Sequence, residues 1–317
     1  MSKKVRLKIL ENEKIYKALN EENAIQRYIS RKIHPFLEKL GFHILGNHFY
    51  EPIPNSNKIK EQYEDKPRSC HQINFNFERA ERESKKMIEK WGTEFYNSVS
   101  KYAYDEANYY FRGLDALLLY CLIRELKPQS IIEIGQGVST KITLAALEDN
   151  YQQTQIKPKF ISIDPYSRFD DKNSNKSNID VEIMQVALQE IPTSLFSNLG
   201  TSDLLFVDSS HVYKFGSDVE YLFEEIYPNI AGGVYIHIHD ICSPYHYPLD
   251  WLIEAKRFWN EQYYLENFLR FNQEFEITMP IYYLSKESEM LKKECDRLCN
   301  YPDFESIGYS FYIRKKN

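Results

Sequence analysis

SIIEIGQGVSTKITLAALE, residues 130–148, reads as a buried strand, a glycine turn and a helix. Ser130–Ile134 is short, apolar and β-branched, which suits a strand covered on both faces. Gly135-Gln136-Gly137-Val138-Ser139-Thr140 carries two glycines of the pattern G-x-G-x-x-G, with Thr140 where the third would stand. Such a turn brings backbone close to a ligand, and the helix behind it aims free N–H groups and a positive dipole end the same way. Gly135, Gln136, Gly137, Ser139 and Thr140 are therefore candidate cofactor contacts, with Ser139 or Thr140 as the helix N-cap. The Gly-Lys-Ser/Thr ending of a phosphate loop is absent from the turn.

Asp164 follows the next apolar run, Phe160–Ile163. A carboxylate at that strand end can accept hydrogen bonds from both hydroxyls of an adenosine ribose. Glu133 interrupts the buried strand just before the glycines. A carboxylate there disfavours a pyrophosphate and favours a cationic ligand. S-adenosylmethionine carries a sulfonium and an ammonium and no phosphate, so the residues favour it over NAD.

Outward from this unit, strand-like runs alternate with helices: Val181–Met184, Leu204–Val207, Ser217–Ile226 (helical) and Gly233–Ile238. That alternation predicts a doubly wound α/β sheet. Leu114–Leu126 (LDALLLYCLIREL) is an apolar helix ended by Lys127-Pro128, and Asn76–Ser98 a charged helix. Leu249–Phe271 reads as one long aromatic helical region. Phe275–Leu284 and Ser310–Arg314 read as strands joined through a helix at Glu287–Leu298, which would set the last strand antiparallel at the sheet's end. Residues 1–110 form a mainly helical N-terminal extension, a cap or a substrate or dimer contact, and 111–317 the α/β domain.

With 40 Lys and Arg against 46 Asp and Glu, the net charge of −6 argues against a nucleic-acid partner. No run approaches the roughly 18 apolar residues of a membrane span, and no secretory signal opens the chain. A cytoplasmic protein is expected. Five scattered cysteines, Cys70, Cys121, Cys242, Cys295 and Cys299, read as free thiols.

With these residues in view, the chain resembles the class I S-adenosylmethionine-dependent methyltransferases. Glu133–Gly137 looks like their first motif and Asp164 like their second. Leu204–His211, Ala231–Asp240, Tyr247-Pro248, Trp251 and Phe258–Gln262 look like a bacterial branch that includes macrocin-type small-molecule and sugar O-methyltransferases. The resemblance covers roughly 112–317. It implies a seven-stranded Rossmann-like methyltransferase sheet with a terminal antiparallel strand. It also implies that Glu133, Gly135 and Gly137 hold the methionine portion and Asp164 the ribose, and that Val186 and Ala187 lie in the adenine loop. His48–Pro54, which includes Tyr50, is similar to N-terminal segments attached to such domains.

The chemistry is expected at the strand ends. Asp208 ends one strand, and His239 and Asp240 end the next, in the same crevice as the turn. Methyl transfer is an in-line displacement, and a hydroxyl acceptor must also lose a proton. His211 or His239 is the expected general base, with Asp208 and Asp240 orienting it; Asp208 also borders the cofactor. The resemblance adds that Asp208 and Asp240 match positions that ligate a divalent ion in metal-using members. His239, standing where a second carboxylate is usual, opposes magnesium. His237 is expected to pack inward. Tyr245, Tyr247, Asn260 and Tyr50 are candidate acceptor contacts.

The expectation is an enzyme that methylates oxygen on a small molecule or sugar, with a nitrogen acceptor as the variant. Homo-oligomers are compatible with it. Two rivals stand beside it: an NAD-dependent oxidoreductase, and a non-catalytic scaffold of the same fold. In a scaffold, Asp208, His211, His239 and Asp240 would share no pocket.

Overall fold

The computed structural model describes residues 32–43, 51–105, 108–167, 177–298 and 307–317. Seven strands form one sheet in the order β3-β2-β1-β4-β5-β7-β6. β1 (Ser130–Ile134), β2 (Lys159–Ile163), β3 (Val181–Met184), β4 (Leu204–Val207) and β5 (Tyr235–Ile238) pair in parallel. β7 (Phe311–Lys315) is antiparallel to both β5 and β6 (Phe275–Pro280). The expected seven-stranded Rossmann-like sheet is thus present, with its last strand antiparallel.

β7 does not lie at the sheet's end, however; it fills the gap between β5 and β6. Its Phe311, Tyr312 and Ile313 are all buried, so this strand needs cover on both faces. β6 alternates buried and half-buried residues through Phe275–Thr278, as an edge strand does. The expected strand Phe275–Leu284 stops at Pro280, and Ile281–Glu287 turns helical.

Alternation along the strands gives the sheet two cores. On one face Ile131, Phe160, Leu204 and Phe206 pack with helices α1 (Phe77–Val99), α2 (Gly113–Leu126) and α3 (Val138–Thr154). On the other, Ile132, Ile134, Ile161, Leu205 and Val207 pack with the helical stretch α4 (Asp218–Tyr221) and its continuation Leu222–Ile226. α5 (Glu261–Arg270) adds Leu265 and Leu269 to this second core. The expected long helix Leu249–Phe271 is broken. Leu249–Ile253 and α5 are separate, and Lys256 between them takes φ +54°, outside the helical region.

The chain divides into two compact units, Met1–Tyr63 with Leu249–Phe258, and Glu64–Pro248 with Trp259–Asn317. In the first, helix Ser56–Gln62 is capped by Asn55, whose side chain accepts from the N–H groups of Asn57 and Lys58. The second holds the sheet, and α1 belongs to it through Trp91, Phe95 and Val99. Cys70, Cys121 and Cys242 are free thiols; Cys299 lies outside the described residues. Among the described residues no helix is long and apolar enough to cross a membrane.

Candidate active site

The turn is held by backbone from three strands. Gly135 donates to the Ile163 carbonyl at 3.0 Å, and Asp208 donates to the Ile134 carbonyl at 2.8 Å. Gly135 takes φ +82°, and a Cβ placed there would lie 2.1 Å from the Asp208 carbonyl oxygen. Glycine is obligatory at this position on both counts. A methyl placed on Gly137 would meet nothing within 4 Å, so its surface is open to a ligand.

α3 starts at Val138 with Gly137 as N-cap, which corrects the expectation of Ser139 or Thr140. Both lie inside the first turn, where their hydroxyls have other work. Thr140 Oγ1 accepts the Gly137 N–H at 3.2 Å and donates to Glu133 at 2.8 Å. Ser139 and Ser162 donate to the same carboxylate at 2.9 and 2.8 Å. Glu133 is fully buried, beneath the turn rather than on its ligand face, and ties β1, β2 and α3 together. Burial pushes its carboxyl up to about 7, against the pull of the three hydroxyls, with Asp208 adding to the rise.

The sign of this shift gives a stability prediction. The folded state keeps a proton that the unfolded chain releases above its ordinary value of 4.5. Stability from this group is therefore complete below that value and lost as pH rises through about 7. The loss is at most about 3 kcal/mol, at roughly 1.4 kcal/mol per pH unit. Urea unfolding at pH 5 and pH 8 should show a smaller pH-dependent drop in Glu133→Gln than in the unaltered chain. Equal drops would contradict the assignment.

Asp164 stands half-buried at the end of β2. Its Oδ2 accepts the Gln136 N–H at 3.0 Å and its Oδ1 the Tyr166 N–H at 2.7 Å. Each oxygen retains a lone pair for a further donor. With Gly135, Ala187, Asp208, Lys214 and Asp218 it lines a cleft of about 420 Å³. Gln136 accepts the Ser167 hydroxyl through Oε1, and its buried Nε2 has no partner. Val186 packs partly into the second core.

Beyond the cleft's Asp208 the ends of β4 and β5 bring four predicted groups together. His211 Nε2 lies 3.3 Å from Asp208 and 3.5 Å from Asp240. His239 Nδ1 lies 3.7 Å from Asp208 and 3.6 Å from Asp240. Burial opposes charge on both rings, but the facing carboxylates outweigh it. They push His211 up to about 10, and they raise His239 well above the ordinary imidazole range. Burial also acts on Asp208, yet the two imidazoles hold it well below the carboxylate range. Asp240 is raised, by burial first and by Asp208 and Asp115 besides. Four carboxylates, counting Glu261 beside His211, face two imidazoles. The cluster thus carries surplus negative charge, and neither ring is poised to accept a proton while nothing else neutralises it.

Two of these residues escaped the sequence reading. Glu261, the first residue of α5, is fully buried and accepts from His211 Nδ1 at 3.0 Å and Ser209 Oγ at 2.9 Å. Asp115 sits in the apolar run of α2 and accepts the Tyr309 and Ser310 N–H groups at 2.8 Å each, with His239 Nε2 at 3.7 Å. An acid inside an apolar helix was the available signal for Asp115. Glu261 had none beyond its place in the Phe258–Gln262 stretch that carries part of the resemblance.

Other expectations are corrected or fall outside the description. Tyr245 is buried with its hydroxyl on Glu287, and Tyr247 is fully buried and accepts the Gln262 N–H. Tyr247 is interior packing, because its hydroxyl is held inside by Gln262, whereas the Tyr245 hydroxyl is engaged by Glu287 at the surface. Asn260 clamps the backbone of Tyr213 at both its N–H and its carbonyl, a loop tie rather than a free acceptor contact. Tyr50 lies outside the described residues. His237 packs inward as expected: its ring stacks on Phe206 at 3.9 Å, and burial keeps it neutral.

Asp208, His211 and Asp240 each offer one ligand atom, all within 4.8 Å of one another. The donor set suits a divalent ion better than the predicted pair alone, since His211 adds a third ligand and His239 is not part of the group. Among the described residues one other set, His34, Glu38 and His43, has this spacing, on half-buried to exposed side chains.

Comparison with known proteins bears on the same stretch. Residues 132–241 match the family model of a methyltransferase domain. The match runs from within β1 to just past Asp240, and so spans the turn, Asp164, Asp208, His211 and His239. No curated protein matches the chain. Among solved structures, the chain is similar to the methyltransferase PaMTH1 of Podospora anserina bound to S-adenosylhomocysteine. There the identity is 14% over 77% of this chain and 98% of that one, at a TM-score of 0.41. A duf574 family protein from Streptomyces avermitilis is 13% identical over 74% of this chain and 90% of that one, at a TM-score of 0.40. At such scores these likenesses add nothing to what the strand order itself establishes.

Proposed function

We propose that the chain is an S-adenosylmethionine-dependent methyltransferase of the macrocin type, methylating a hydroxyl of a small molecule or sugar. The observation that carries this reading is Asp164, locked by the Gln136 N–H against the Gly135–Gly137 turn, in one cleft with Asp208. A ribose on Asp164 sets the adenosine, and the open face of Gly137 leaves room for the methionine portion. Asp164, Asp208 and Asp218 against Lys214 give the cleft a negative lining, which favours a sulfonium over a pyrophosphate. Glu133, buried under three hydroxyl hydrogen bonds, does not line this cleft. A non-catalytic scaffold leaves unexplained why Asp208, His211, His239 and Asp240 converge.

In the reaction the acceptor oxygen attacks the methyl carbon in line with the carbon–sulfur bond. That bond breaks, sulfur keeps the electron pair, and the hydroxyl proton must leave. Asp208, His211 and Asp240 would hold a divalent cation, which would acidify the acceptor hydroxyl. With His211 engaged in that way, His239 is the group left to take the proton. Its Nδ1 already faces Asp208 and Asp240.

Asp164→Ala tests the cofactor half. Two hydrogen bonds from ribose hydroxyls to a carboxylate are worth about 1.5–3 kcal/mol each. Affinity for S-adenosylhomocysteine should fall by at least about 10-fold, measured by calorimetry, and unchanged affinity would remove the ribose role. Transfer itself is read by intact mass: a candidate acceptor gains a methyl with the unaltered chain and a divalent salt. Full turnover in the presence of a strong chelator would remove the metal.

A further inference from the structure

α5 begins beyond the stretch matched as a methyltransferase domain, yet its first side chain enters the cluster. We propose that Glu261 is the positioning residue for His211: it accepts the hydrogen bond from Nδ1–H, keeps that proton on Nδ1, and so presents Nε2 to Asp208, Asp240 and whatever they bind. The consequence for turnover rests on the methyltransferase reading; the contact itself does not.

Glu261 is fully buried, and a carboxyl group in that setting is costly unless it is hydrogen-bonded. Both of its hydrogen bonds, from His211 and Ser209, fall on Oε2, while Oε1 is buried without a partner. A residue kept for packing alone would be better replaced by an apolar one of similar volume. The carboxylate therefore reads as retained for its grip on His211. Its place in the first turn of α5 also lets the helix dipole support the negative charge.

The backbone repeats the tie. The N–H groups of Asn260 and Glu261 both donate to the His211 carbonyl, at 3.1 and 3.2 Å. His211 N–H donates to Ser209 Oγ at 3.1 Å, and the Trp259 ring lies 4.4 Å from the imidazole. His211 itself takes φ +59°, a conformation that a non-glycine residue holds only where its surroundings impose it. The start of α5 thus fixes the loop, the ring plane and the hydrogen-bonding nitrogen together. With Nδ1 committed to a carboxylate, Nε2 is the nitrogen left for a metal, the carboxylate–histidine–metal arrangement that orients such ligands.

The test uses the full chain and Glu261→Gln, which keeps size while removing charge. Three readouts are taken: the His211 Nδ1–H resonance, Mn²⁺ affinity, and kcat beside the affinity for S-adenosylhomocysteine. Mn²⁺ is chosen because it prefers oxygen-rich donor sets, so the His34, Glu38 and His43 group competes little. In the unaltered chain a downfield Nδ1 proton, assigned through His211→Asn, is expected. In Glu261→Gln it should move upfield, Mn²⁺ should bind about 10–100-fold more weakly, and kcat should fall by a similar factor. Affinity for S-adenosylhomocysteine should stay within about threefold, since the glycine turn and Asp164 are untouched.

Absence of the downfield proton in the unaltered chain overturns the proposal, and so does its persistence unchanged in Glu261→Gln. Equal losses of kcat and of S-adenosylhomocysteine affinity would make Glu261 a general structural support, which also overturns it. If the variant fails to fold, the resonance of the unaltered chain decides. If the unaltered chain binds no S-adenosylhomocysteine, the methyltransferase reading fails while the resonance still judges Glu261.

Discussion

Gly135→Ala should lose both stability and cofactor binding. The new methyl would sit 2.1 Å from the Asp208 carbonyl oxygen, a backbone atom that itself follows the hydrogen bond from Asp208 N–H to Ile134. The residue must also hold φ +82°, which is disfavoured for alanine by about 1–2 kcal/mol. Relieving the overlap means moving the ends of β1 and β4 apart, a strain of about 1–3 kcal/mol on top. Together the loss is about 2–5 kcal/mol, read as a shift in urea midpoint with unchanged slope. Gly137→Ala is the control. It meets nothing within 4 Å, so its stability should stay within about 1 kcal/mol, and weaker S-adenosylhomocysteine binding would then report on ligand approach alone. A stable Gly135→Ala with full affinity would show that the turn is not built as described.

Asp208→Asn should remove turnover almost entirely, by on the order of 10²–10⁴, the range of a lost acid–base or metal-holding group. Asp208 touches both imidazoles and offers one of the three ligand atoms. Its loss should leave S-adenosylhomocysteine affinity far less changed than turnover, because Asp164 and the glycine turn remain. The substitution has a pH signature as well. His211, pushed up to about 10, contributes stability that is complete below its ordinary value of 6.5 and is lost as pH rises through about 10. With Asp208 neutralised, His211 titrates lower, so stability should fall less between pH 7 and pH 10 than in the unaltered chain. Turnover within a few-fold of the unaltered chain would take Asp208 out of the chemistry.

What the sequence made legible is local. The strand, turn and helix around Gly135 follow from apolar runs and two glycines, and Asp164, Asp208, His239 and Asp240 are marked by ending such runs. Those signals survive because a strand end is defined by its own neighbours. Glu133 was correctly marked as an acid in a buried strand, but its three hydroxyl partners come from two elements, and only the fold reveals that they hold its carboxylate. The place of β7 inside the sheet was not legible, since a strand's own residues do not fix which strand it pairs with. Glu261 and Asp115 were missed for the same reason: each reaches its histidine from a helix distant in sequence. Tyr247 was misjudged because an aromatic ring with a hydroxyl has the same pattern on a cleft wall as in a core where a buried polar partner meets it.

Calorimetry with S-adenosylhomocysteine and NAD, each titrated into the unaltered chain, tests the cofactor assignment most directly. The ribose seat at Asp164 and the open face of Gly137 predict saturable binding of S-adenosylhomocysteine, and the negative cleft predicts no binding of NAD at the same concentrations. Tight binding of NAD with none of S-adenosylhomocysteine would contradict it.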